Sequence, residues 1–225
     1  MIDLHTHSML SDGELVPSEL VRRAVEKGYR AIAITDHVDS SNIDLIVPRI
    51  VRVCGELDKK WGMRVIPGCE LTHMPPKDIP RLVKDARGMG AKVIVVHGET
   101  IMEPVPEGTN EAAIESGIDI LAHPGFLTEK CAELAKENGV YIEITARRSH
   151  ALTNGHVAKT AKLKGAEMIL NTDAHSPHDL IDLSMAEAVI MGSGLSISDA
   201  RHILGNSRKS LKKFGTIDSL KNVTE

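Results

Sequence analysis

Aromatic side chains are almost missing from this 225-residue chain: Tyr29, Trp61, Phe126, Tyr141 and Phe214 are the full set. Few flat surfaces are therefore available for stacking the bases of single-stranded nucleic acid. An excess of positive charge is missing too. The formal net charge is -4, which gives no electrostatic footprint for a polyanion, so long nucleic acid is not an expected partner. Cysteine is scarce: Cys54, Cys69 and Cys131 are far apart, odd in number and form no CxxC. Neither a disulfide framework nor a zinc knuckle is suggested, and a reducing cytoplasmic setting is expected. No apolar run approaches the roughly 18 residues of a membrane span. The first residues lack a basic segment followed by an apolar one, so no signal peptide and no membrane partner are expected. Hydrophobic residues still make up 42% of the chain, enough for a substantial core.

What the sequence does contain is alternation. Seven short, largely apolar runs read as strands, over 1–4, 30–35, 64–70, 92–96, 118–122, 140–145 and 167–171. Helical patterns separate them. The first begins at Pro17, a favoured first-turn residue, and carries Leu20, Val21, Ala24 and Val25 on one face before stopping at Gly28. Further helices are expected over 48–61, 78–89, 128–138 and 156–164, with a short one ending near Gly117. Two more, over 178–191 and 198–204, precede a basic stretch over 207–213. Strands alternating with helices imply a parallel sheet with crossover connections, either an open doubly wound sheet or a barrel.

The polar residues are placed unevenly on this frame. His5 and His7 follow the first strand two apart, a spacing that puts both imidazoles on one side of an extended chain. With 11 histidines present, about half of one such pair is expected by chance. The other strand ends make the pair significant. Asp36 and His37 follow the second strand, Glu70 ends the third, His97 the fourth and His123 the fifth, and Asp173 with His175 follows the seventh. Asp12 lies in the loop after the first strand. The carboxyl ends of barrel strands are where active sites are built, and His with Asp and Glu is a metal-ligating set. Five histidines fall outside the pattern, His73, His150, His156, His178 and His202, and most of these are expected at the surface.

The motifs DLHTHS with SDG, TDH, PGCE, VVHGE, AHPG and NTDAHS, spread in this order over residues 2–176, resemble the PHP (polymerase and histidinol phosphatase) family. The resemblance implies a distorted (β/α)7 TIM-like barrel, here over residues 1–215 with a tail over 216–225. It also implies two or three divalent ions, zinc, manganese or iron with magnesium also admissible. His5, His7, Glu70 and Asp173 would hold the first. Glu70 would bridge to a second, also bound by His97 and His123. Asp12, His37 and His175 would hold the third. Some relatives carry His where this chain has Asp12, which keeps a ligand but offers a harder oxygen donor. Three divalent ions against Asp12, Glu70 and Asp173 leave a formal surplus of three positive charges, which suits a phosphate dianion and a hydroxide. The expected activity is hydrolysis of a small phosphate monoester, histidinol-phosphate-like or a nucleotide, by a metal-bridging hydroxide. Glu70, Asp173 and His175 would act through the metals.

Other readings use the same residues. A nuclease or phosphodiesterase acting on nucleotides or short oligonucleotides would need the same cluster. A non-catalytic RNA-binding barrel would not need a full ligand set. An amidohydrolase also begins with HxH, but would place a bridging Lys where this chain has His97. Arg147 and Arg148 follow the sixth strand and are the expected phosphate contacts, because guanidinium binds phosphate through two nitrogens at once. Asp36 is expected to orient a neighbour, Glu143 either faces the barrel interior or pairs with a basic residue, and Phe126 is expected to pack in the core. Glu99 is expected as a surface carboxylate. The loop 98–110 is long for a barrel connection and is a candidate wall of the site.

Overall fold

The computed structural model describes residues 1–214; the tail expected over 216–225 lies outside them. In chain order the elements are β1 (Ile2–Asp3), α1 (Pro17–Glu26), β2 (Ala31–Ile34), β3 (His37–Val38), α2 (Ile43–Leu57), β4 (Arg64–Leu71), α3 (Ile79–Gly88), β5 (Val93–His97), α4 (Thr109–Glu115), β6 (Ile120–Ala122), α5 (Glu129–Asn138), β7 (Tyr141–Thr145), α6 (Asn154–Lys164), β8 (Met168–Asn171), α7 (Leu183–Gly192) and α8 (Ile197–Lys213). Seven strands pair in parallel in the order β1-β2-β4-β5-β6-β7-β8, and the two-residue β3 pairs with β4 beside them. Beyond β1 and β8 the chain closes the ring: Thr6 pairs in parallel with Ala174. There the His7 amide donates to Ala174 O at 2.8 Å and the Asp173 amide donates to His5 O at 3.0 Å. The expected seven-stranded TIM-like barrel is present, with β3 added.

The side-chain period of two divides the strands between two cores. Ala31, Ala33, Ile66, Val93, Val95, Ile120 and Ile169 fill the barrel interior. Ile32, Ile34, Val65, Cys69, Leu71, Ile94 and Val96 face the surrounding helices. A strand buried on both faces reads as a continuous apolar run, as residues 93–96 of β5 do. The same parity carries Glu70 inward on β4 with Ile66, and His97 inward on β5 with Val93 and Val95. All three cysteines are buried free thiols.

Three helices differ from expectation. α2 begins at Ile43, not at Pro48, which sits inside it. Burial of Ile43, Ile46 and Val47 on the barrel side outweighs the hydrogen bond that proline removes. α7 begins at Leu183, not at His178, with the Asp182 carboxylate accepting from the Met185 amide. Asp179 is used instead to hold the loop before it, accepting from the amides of His175 at 3.1 Å and Ser176 at 2.8 Å. α8 continues to Lys213, so the basic stretch is helix. The small buried Ser207 and Ser210 lie against the barrel, and Leu211 and Phe214 join the interior core from below. Lys213 Nζ reaches Asp119 Oδ1 at 3.0 Å, and Arg87 pairs with the other carboxylate oxygen. No helix among the described residues is long and apolar enough to cross a membrane.

Candidate metal centre

The carboxyl ends of the strands open on a pocket of about 280 Å³ lined by Asp12, His37, His97, Arg147, Asp173 and His175, among others. Glu70 lies at its floor, fully buried. Its Oε2 is 2.8 Å from His37 Nδ1, 3.3 Å from His5 Nε2 and 3.5 Å from His7 Nε2, and its Oε1 is 3.7 Å from His123 Nε2. Asp173 stands opposite: Oδ1 is 3.1 Å from His7 Nε2 and 3.6 Å from His5 Nε2, and Oδ2 is 3.7 Å from His123 Nε2. Asp12, more than half exposed at the mouth, has Oδ1 3.3 Å from His175 Nε2 and 3.6 Å from His37 Nε2. All nine residues read as ligands from the sequence therefore converge here.

The chain is shaped to hold them there. Asp36 does not enter the cluster. Its buried carboxylate accepts from Ser8 N and Oγ, both at 2.8 Å, and from Ser11 N at 3.1 Å and Oγ at 2.7 Å. It thereby staples the loop that carries Asp12. A Cβ at Gly13 would stand 2.5 Å from the His7 carbonyl oxygen, so the turn after Asp12 requires glycine. Glu143 turns inward: its Oε2 lies 2.9 Å from His5 Nδ1 and accepts from Asn171 Nδ2 at 2.9 Å. Among the described residues four non-glycines have positive φ, and three of them are at this rim, His73, His123 and Asp173. Such backbone strain collects at functional sites.

The buried donor set fits divalent ions. His5 Nε2, both ring nitrogens of His7, both oxygens of Glu70, His123 Nδ1 and Asp173 Oδ1 are shielded from solvent and make no hydrogen bond within the protein. Several face one another at 3.1–3.7 Å without hydrogen-bond alignment. Leaving so many buried polar atoms unpaired costs about 1–3 kcal/mol each, and a cation shared among them removes that cost. Ligand atoms of His5, His7 and Glu70 fall within 4.8 Å of one another, as do those of His7, Asp12, His37 and His175, and those of His97, His123 and His150. Mixed nitrogen and carboxylate donors suit zinc, manganese or iron.

Protonation within the protein is divided. Burial opposes charge on His5, but the carboxylates of Glu70, Glu143 and Asp173 outweigh it and hold its pKa well above the usual value. Burial likewise opposes charge on His37, and Glu70 raises it to about 9. For Glu70, burial is overcome by His5 and His37, which hold its carboxyl well below the usual range. Burial drives Asp173 up to about 7 against the pull of His5. Burial and neighbouring histidines push His7 and His123 well down. Positive charge is thus already drawn to this floor, and metal ions would take the place of those protons.

Several placements differ from expectation. His150 is buried beside His123, with ring centroids 4.3 Å apart, whereas His73 is exposed as expected and stands at the rim. Glu103, in the long loop, was not marked by any sequence pattern, yet it lies 2.7 Å from His73 Nε2 and 3.2 Å from His97 Nε2. Of the two arginines, Arg147 lines the pocket, with Nη1 donating to Asp179 Oδ2 at 3.2 Å, whereas Arg148 is exposed and outside the lining. Phe126 is not in the core; it is exposed and meets His156 edge-on. Glu99 accepts from the Asn110 amide at 2.8 Å and caps α4.

The chain is 49% identical over 213 residues to an uncharacterized protein of Methanocaldococcus jannaschii, spanning 94% of this chain and 98% of that one. It is 26% identical over 246 residues to a probable phosphatase of Shewanella halifaxensis, spanning 95% and 92%. Among solved structures, a chain of an archaeal ribonuclease P with mature tRNA matches with a TM-score of 0.71 at 17% identity, over 100% of this chain and 95% of that one. The histidinol phosphate phosphatase of Lactococcus lactis, complexed with zinc, L-histidinol and phosphate, matches at 0.61 and 16%, over 87% and 94%. Both structural likenesses speak for the fold alone. The PHP domain model matches residues 3–184, and this protein belongs to the PHP domain family.

Proposed function

We propose that the protein is a metal-dependent phosphoesterase that hydrolyses a small phosphate monoester, histidinol-phosphate-like or a nucleotide. The observation that carries this reading is the convergence of unpartnered buried donor atoms on the floor of a pocket walled by Arg147. His5, His7, Glu70 and Asp173 would hold one ion, Glu70, His97 and His123 a second, and Asp12, His37 and His175 a third. Such ions supply the charge that activates water and stabilises the leaving oxygen of a phosphoester at neutral pH.

The chain's own groups do the rest. Glu70 presents one oxygen to His5, His7 and His37 and the other to His123, so it can join two ions. Asp173 fixes the opposite edge. Arg147, held by Asp179, presents its guanidinium to the pocket, where it can bind phosphate oxygens. A pocket of about 280 Å³ is at the small end for ligand sites, which favours a monoester headgroup over a nucleic-acid strand. The phosphatase relative supports the same reaction class.

The ribonuclease P neighbour raises a different reading, an RNA-binding barrel without catalysis. The complete donor set and the net charge of -4 favour hydrolysis. Phosphate release by the metal-loaded protein from histidinol phosphate, nucleoside monophosphates and a short oligonucleotide separates the readings. Release from a monoester is expected. Cleavage of the oligonucleotide alone would replace this reading with a nuclease, and RNA binding without release from any substrate would overturn it.

A further inference from the structure

The hydrogen bonds of the histidines fall into two groups. His5 Nδ1 meets Glu143 at 2.9 Å, His37 Nδ1 meets Thr72 Oγ1 at 2.6 Å, His97 Nδ1 meets the Gly98 carbonyl at 3.2 Å, and His175 Nδ1 meets the Asp173 carbonyl at 2.9 Å. Each keeps Nε2 for the pocket. A ring held at one nitrogen by a protein group is the usual arrangement of a metal-ligating histidine. Away from the cluster the pattern reverses: His156 and His202 use Nε2 for their hydrogen bonds, to the Leu127 carbonyl and to Glu167. His150 belongs with the first group. Its Nδ1 is 2.9 Å from Thr100 Oγ1, it is buried, and its Nε2 points to the pocket, 3.5 Å from Glu103 Oε1.

We propose that His150 and Glu103 are further ligands of the ion held by His97 and His123, so that this chain binds that ion with two residues beyond the nine at the strand ends. The inference rests on the metal-centre reading given above. One ligand atom from each of His97, His123 and His150 falls within 4.8 Å of the other two, and the same holds for His73, His97 and Glu103. Glu103 Oε2 is 3.2 Å from His97 Nε2, and its other oxygen faces His150. His73, 2.7 Å from Glu103 Oε2, holds the carboxylate from outside. The long loop thus brings a ligand to the mouth, and the turn after β7, the one strand that ends without a ligand, brings another.

Cobalt(II) titrated into the stripped full-length protein, followed by visible absorption, tests this directly. Wild type, His150→Ala, Glu103→Gln and the surface control His202→Ala are compared, with circular dichroism to confirm folding. His150→Ala is expected to weaken one class of bound cobalt tenfold or more and to shift its absorption bands. Glu103→Gln weakens the same class, and His202→Ala matches wild type. Affinity and spectrum of His150→Ala equal to wild type would overturn the proposal while leaving the metal centre intact. Wild-type protein that binds no cobalt would overturn both. If His150→Ala does not fold, Glu103→Gln, on an exposed loop, decides alone, and unchanged binding in it overturns the proposal.

Discussion

Glu143 and His5 face each other across the barrel interior, Oε2 to Nδ1 at 2.9 Å, and neither has any solvent exposure. The carboxylate engages His5 Nδ1 and so aims Nε2 at Glu70 and Asp173. Removing such an outer partner typically lowers metal affinity by about 10–100-fold. Glu143→Gln is expected to show a loss of that size in a chelator-competition assay while keeping its circular dichroism spectrum. Unchanged affinity would mean that His5 does not depend on Glu143.

Asp36 takes four hydrogen bonds from Ser8 and Ser11 and none from a pocket residue. Asp36→Ala leaves those donors without their acceptor, and a loss of about 4 kcal/mol in urea unfolding is expected at roughly 1 kcal/mol per net hydrogen bond. The loop carrying Asp12 should loosen as well, seen as faster amide exchange over residues 8–13. A change below about 0.5 kcal/mol would show that the loop holds itself.

Asp3 gives a pH dependence with a definite sign. Its carboxyl is fully buried, which raises it to about 6 from 3.8 despite hydrogen bonds from Thr172. Because the folded pKa lies above the unfolded one, its contribution to stability is fully present below about pH 4 and is lost as pH rises through 6. The loss amounts to about 3 kcal/mol at 1.36 kcal/mol per pKa unit. Asp3→Asn removes it. The unfolding free energy of the Asn variant minus that of wild type, with chelator present, is expected to rise by about that amount between pH 4 and pH 7. Parallel curves would exclude this role for Asp3.

Arg147 and Arg148 are adjacent in sequence but unequal in place. Arg147→Lys keeps the charge and loses the two-nitrogen grip on phosphate; a rise in KM of about tenfold is expected, on the scale of 1.4 kcal/mol for one lost contact of this kind. Arg148→Ala is expected to leave phosphate release unchanged. Equal effects of the two would contradict the placement of the pocket wall.

The strand-end ligands were legible because each sits at or just past the end of a short apolar run, where the chain direction dictates where the side chain goes. His37, Glu70 and His97 needed only that rule. His150 and Glu103 escaped because they stand on irregular loops, where no period ties a residue to a face. Glu143 was visible as a polar residue in an apolar strand, but only the position of His5 identifies its partner. Pro48 misled because a proline marks a helix start only when the apolar stripe does not continue before it. α8 was not legible beyond Leu204 because the buried positions that follow directly, Asn206, Ser207 and Ser210, are polar and carry no apolar signal.

Metal content and phosphate release, measured together on protein purified without added metal and on Glu70→Gln, test the central claim most directly. Glu70 presents one oxygen to His5 and His37 and the other to His123 across the floor. Two to three divalent ions per wild-type chain are expected, with chelator-sensitive release of phosphate from a monoester. Fewer ions, and a loss of release of at least 100-fold, on the scale of about 2.7 kcal/mol, are expected in Glu70→Gln. Wild-type protein holding no metal, or a Glu70→Gln variant releasing phosphate at the wild-type rate, would contradict it.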